Sequence, residues 1–88
     1  MQEEEFRNYL LITNHKQIAT IHRINKLKEV ETFFNIDIDN IIKDKNQVVE
    51  LLVKIRRARI EDREHTPLSN AVRKYYECMT NDRIGRIF

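Results

Sequence analysis

One glycine, one proline, one cysteine and no tryptophan occur in the 88 residues of this chain. Gly-rich loops that cradle phosphates need several positions without side chains, so that class of site is excluded. Collagen-like, Pro-rich and Gly/Ser-rich chains are excluded on the same count. Cys78 alone cannot form an internal disulfide, and a reducing, cytoplasmic compartment is the expectation. No stretch approaches the ~20 apolar residues of a membrane span. The opening MQEEEFRNYLLITN lacks the basic start and apolar run of a signal peptide. No internal repeat is visible.

What is present is a globular composition, 41% hydrophobic and 34% charged, with a net charge of +2. A chain of this length supports one core and not two, so residues 1–88 read as a single domain. The charge is uneven. Residues 1–44 carry six Lys/Arg against eight Asp/Glu, and residues 45–88 carry ten against six. The sequence pI near 8.8 falls just short of the ~9 typical of strong nucleic-acid binders. Composition therefore permits a nucleic-acid partner without demanding one.

The punctuation predicts four helices and no sheet. The first covers residues 3–13, with three glutamates at its start, favourable to the helix dipole, and Phe6, Tyr9, Leu10 and Thr13 at helical spacing. Asn14 with Gln17 reads as a capping box for a second helix over 15–34. Its apolar residues Ile18, Ile21, Ile24, Leu27, Val30 and Phe33 recur every three positions. That stripe precesses by ~60° per step, so the two ends of the helix should bury different faces, through either a kink near Asn25 or different neighbours along its length. Residues 35–45 read as a connection whose isoleucines, Ile36, Ile38, Ile41 and Ile42, plug the core. Asp44 opens a third helix. Its run VVELLV, apolar nearly all round, predicts the central core helix, with a buried strand as the alternative. Thr66-Pro67 predicts an N-cap followed by Pro at the first helical position. The fourth helix then shows Leu68, Ala71, Val72, Tyr75 and Met79 on one stripe, with Tyr76 on its flank. Gly85 reads as a breaker in the tail.

Sites for chemistry are sparse. His15 and His22 stand seven residues apart, ~10.5 Å along one helix, too far to share a metal ion. His65 and Cys78 stand alone. The carboxylate groups Asp37/Asp39 and Glu61/Asp62/Glu64 fall in connections or on a solvated stretch. No metal, cofactor, small-molecule substrate, catalytic residue or enzyme activity is therefore expected. Basic helix faces are better candidates, because phosphate contacts need several Lys or Arg side chains on one rigid surface. Lys16, Thr20, Arg23 and Lys26 form such a face on the second helix, and Asn70, Arg73 and Lys74 another on the fourth. Arg56, Arg57 and Arg59 cluster near the end of the third, where the helix dipole already favours cations.

The pieces FRNYL, IATIHRINKLKEVETFF, VVELLVKI and TPLSNAVRKYYECM, in that order, resemble the N-terminal core-binding domain of phage-integrase-type tyrosine recombinases. The resemblance runs over residues 3–80. It implies an all-α, SAM-like orthogonal four-helix bundle from a phage or other mobile element. It implies a non-catalytic module that grips double-stranded DNA with its second and fourth helices, the family's catalytic residues lying in a separate domain. Carried over, the DNA-facing positions are Lys16, Thr20, Arg23, Lys26, Asn70, Arg73 and Lys74. The alternative is a small helical factor that acts by binding a partner protein, such as a mobile-element accessory or an anti-defence inhibitor.

Overall fold

In a computed structural model of the chain, residues 1–13, 16–58 and 65–84 are described. Five helices occur among them, with no strand: α1 (Glu3–Ile12), α2 (Gln17–Phe34), α3 (Ile38–Ile41), α4 (Lys45–Arg57) and α5 (His65–Thr80). Helix α3 is a four-residue turn inside the expected connection. The VVELLV run is helical, not the alternative buried strand. No helix among the described residues is long and apolar enough to cross a membrane.

The helix ends follow local side-chain chemistry. Asp44 caps α4, its carboxylate accepting the Asn46 N–H at 2.9 Å. Asp37 does the same for α3 through the Asp39 N–H at 3.0 Å. Asn35 ends α2 in the left-handed conformation, φ 52°, which Asn tolerates better than most residues. The Ile36 N–H then reaches back to the Glu31 carbonyl and the Asn35 N–H to Thr32, a Schellman closure.

Two expected starts differ. The N-cap position of α2 is Lys16, in extended conformation and without a side-chain cap, while Asn14 and His15 lie outside the described residues. Helix α5 begins at His65, so Thr66 is helical and Pro67 is its third residue. Pro67 remains harmless there, because the first four N–H groups of a helix have no partner inside it. Arg59, the Glu61/Asp62/Glu64 run and Gly85 also lie outside the described residues.

The core is one cluster drawn from all five helices. Phe6 and Leu10 enter it from α1, Ile38 from α3, and Val48, Leu51, Leu52 and Ile55 from α4. Phe6 meets Tyr75 edge to face, with ring centroids 5.1 Å apart. Helix α5 is the central element, packing against α1, α2 and α4. Helix α4 is not. Its Lys45, Asn46, Gln47, Glu50 and Lys54 form a solvent face, and Val49 and Val53 sit half-buried on the flanks.

The inward stripe of α2 is Thr20, Ile24, Leu27 and Val30. This spacing of four, three and three follows one face of a straight helix. The threefold apolar series drifts off that face at both ends, leaving Ile18 84%, Ile21 48% and Phe33 56% exposed. Different ends do not bury different faces. Instead, the ends of the apolar series are left in water.

Candidate nucleic-acid interface

Packing α2 against α5 leaves a groove along their shared flank. On a helix of ~100° per residue, Lys16, Ala19, Arg23 and Lys26 fall on the flank of α2 beside its inward stripe. Asn70, Arg73, Lys74 and Glu77 fall opposite the Leu68–Val72–Tyr75 stripe of α5. The two flanks meet in a pair of adjoining hollows. One, of about 580 Å³, is lined by Lys16, Ile18, Ala19, His22, Arg23, Lys26, Pro67 and Asn70. The other, of about 400 Å³, is lined by Arg23, Asn70, Arg73, Lys74, Glu77, Arg83 and Ile84. Arg23 and Asn70 belong to both and mark the join.

Six of the seven residues singled out in the sequence therefore come together, from segments more than forty positions apart. The seventh does not. Thr20 is 1% exposed and faces the core. Its hydroxyl has no hydrogen-bond partner among the described residues. A one-residue rotation on a helix is ~100°, enough to turn a side chain from the basic flank to the interior. Arg56 and Arg57 are exposed on the last turn of α4, away from the groove.

The groove cations differ in how they are held. Lys26 pairs with Glu29 at 3.0 Å. Arg73 donates to the Asn70 side-chain oxygen. Lys74 and Arg83 share one carboxylate, Glu77, at 3.3 and 3.1 Å. Burial of Glu77 pushes its carboxyl up, but the hydrogen bonds from Arg83 and Lys74 outweigh it and hold the group below its ordinary range. Glu77 is thus a fixed anion inside a basic groove.

Lys16 has no partner among the described residues but is exposed; Arg23 is not. It is half-buried and has no ion pair or hydrogen bond among the described residues, and burial alone lowers its pKa. A guanidinium taken from water and left without an acceptor is unfavourable. An arriving anion would relieve that cost.

Two lining groups carry no such signal in the sequence. Arg83 follows the end of α5 and gave no helical-face signal. The left-handed residue Asn81, φ 57°, turns the chain there, and Asp82 anchors it by accepting from the Tyr76 hydroxyl at 3.2 Å and pairing with Lys45 at 3.5 Å. In the sequence His22 bears only on metal binding. It lies four positions from Ile18 and Lys26, on the side that opens to the groove. Tyr76 is 5% exposed, buried rather than flanking. Cys78 is half-buried, and burial, with the Glu5 carboxylate adding to it, pushes its thiol up, away from the thiolate. No three His, Cys, Asp or Glu side chains gather as a metal site would require among the described residues.

No family model matches this chain, and neither a curated protein nor a solved structure matches it.

Proposed function

We propose that the chain is a non-catalytic DNA-binding module that holds the phosphate backbone of duplex DNA along the α2–α5 groove. In this reading α1, α2, α4 and α5 are the four helices of a SAM-like bundle, with α3 as a short insertion between the second and third. The resemblance to recombinase core-binding domains supports it, since α2 and α5 correspond to the helices that face DNA in that family. The observation that carries it is Arg23: a half-buried cation without a partner among the described residues, at the join of a groove lined by five further Lys and Arg side chains. Phosphate is the anion that recurs at regular spacing along a polymer, and several fixed cations on two rigid helices suit it.

Fluorescence anisotropy of a labelled duplex across a salt series tests this. Neutralising about five phosphates gives a log K against log salt slope of roughly −4 to −5, with affinity in the ~micromolar range or weaker at physiological salt. No binding at ~50 mM salt overturns the reading.

The exposed apolar residues at the α1–α2 end favour a second reading. Ile12 and Ile18 are 80% and 84% exposed, with Leu11 and Ile21 nearby in sequence and about half exposed. Such residues suit a protein partner, the function that stands if duplex DNA does not bind.

A further inference from the structure

The two hollows of the groove are not chemically alike. Around Arg73, Lys74 and Arg83 the walls are charged or polar except for Ile84. At the other end Ile18, Ala19 and Pro67 supply apolar lining beside Lys16, Lys26 and the His22 ring. Ile18 is 84% exposed, the most open of the large apolar residues described.

A duplex does not satisfy both ends. Its outer surface offers phosphate and sugar, and its bases show only their edges within the grooves. Laid along α2 and α5, it meets the charged hollow and leaves the Ile18–Pro67 lining wet. An unpaired nucleotide brings that lining the flat face of a base joined to a phosphate. The hollow of about 580 Å³ lies within the ~300–1,000 Å³ of clefts that hold small ligands, room enough for one nucleotide. Arg23, at the join, is placed for the phosphate between the paired and unpaired parts.

We infer that the groove recognises the junction where duplex DNA gives way to a single strand. The duplex backbone lies on the Arg73–Lys74 end and the first unpaired base against the Ile18–Pro67 lining. This rests on the duplex-backbone reading above and adds a preference that reading does not require. The two ends of the groove are unlike, so the preference has a direction: one overhang polarity is favoured over the other.

Four labelled DNAs with a common duplex test it against the full chain by anisotropy at fixed low salt. They are a blunt duplex, the same duplex with a short 5′ overhang, with a short 3′ overhang, and with the preferred overhang made abasic. One overhang should bind about tenfold tighter than the blunt end, the gain from apolar area buried when one base face packs on Ile18, Pro67 and the His22 ring. The abasic strand keeps its phosphates and should lose that gain. Ile18→Ser, at an exposed position that leaves the core intact, should bring the overhang-to-blunt ratio close to one, with an unchanged thermal melt. A ratio of one in the parent chain, an abasic overhang that binds as tightly as the natural one, or an Ile18→Ser variant that keeps the ratio overturns the inference while the duplex reading stands. Binding of an overhang without measurable binding of the blunt duplex supports the base pocket and overturns the duplex reading. Silence with all four DNAs overturns both.

Discussion

Tyr75 donates its hydroxyl hydrogen to Asp39 and accepts the Gln2 N–H at 2.7 Å, so one side chain of α5 ties α3 and the start of α1 to the core. The amino terminus of Met1 closes the cluster, 2.9 Å from the other Asp39 oxygen. Burial pushes the Asp39 carboxyl up, yet the Tyr75 hydroxyl and the terminal ammonium outweigh it and hold the group below its ordinary value. Burial and the bond to Asp39 raise the Tyr75 hydroxyl strongly.

Tyr75→Phe keeps the ring and removes this tie. A stability loss of ~1–3 kcal/mol is expected from urea unfolding at neutral pH, because a partly buried carboxylate and an N–H each lose a partner. A loss under ~0.5 kcal/mol would show the contact to be inconsequential.

The same pair sets a pH dependence. Asp39 has a lowered folded pKa, so its contribution is complete above its ordinary 3.8 and is lost as pH falls through the lower folded value. Tyr75 has a raised folded pKa, so its contribution is complete below its ordinary 10.0 and is lost as pH climbs toward the higher folded value. Melting temperature against pH should show an acid and an alkaline shoulder, both reduced in Tyr75→Phe. Identical profiles for the two proteins would contradict the assignment.

In α4, Leu52 is 1% exposed in the shared core. Leu52→Ala should cost ~2–5 kcal/mol by denaturant unfolding, the range for large-to-small changes in packed cores. A cost below ~1 kcal/mol would place Leu52 at the surface.

Thr20→Val should work in the opposite direction. The buried hydroxyl lacks a partner among the described residues, and exchanging it for a methyl of similar size removes an unsatisfied polar group. A gain of ~0.5–2 kcal/mol in unfolding free energy is expected. A clear loss would reveal an acceptor for that hydroxyl.

Glu77→Gln probes the groove itself. The carboxylate now neutralises Lys74 and Arg83. Without it, duplex affinity should rise severalfold and the log K against log salt slope should steepen by about one to two units, as two cations become available to phosphate. Arg73→Ala with Lys74→Ala should weaken binding and flatten the slope by up to about two units. Anisotropy titrations of both variants across salt decide the matter.

The four long helices were legible because each carries an apolar stripe or a terminal signal, and Asp44 and the Leu68–Val72–Tyr75 stripe behave as their spacing predicts. The short helix α3 was not, since four residues are too few to display a period. The inward face of α2 departs from its apolar series, because six apolar residues spaced by three cannot all share one face of a straight helix. Packing selected Thr20 for the interior and left Ile18 outside. Most of the groove could be read because two basic flanks happened to sit on the two helices that pack together. Arg83 could not, since its place depends on a backbone turn at Asn81 rather than on helical spacing.

Helices α2 and α5 supply opposite walls of one groove although thirty residues separate them along the chain. In the unfolded chain Arg23 and Arg73 are strangers, so a ligand that needs both binds only the folded population. Occupancy then reports on folding as much as on recognition. Each tenfold excess of free ligand over its dissociation constant should add about 1.4 kcal/mol to the unfolding free energy, and a melting point that climbs with ligand concentration becomes a binding isotherm in its own right.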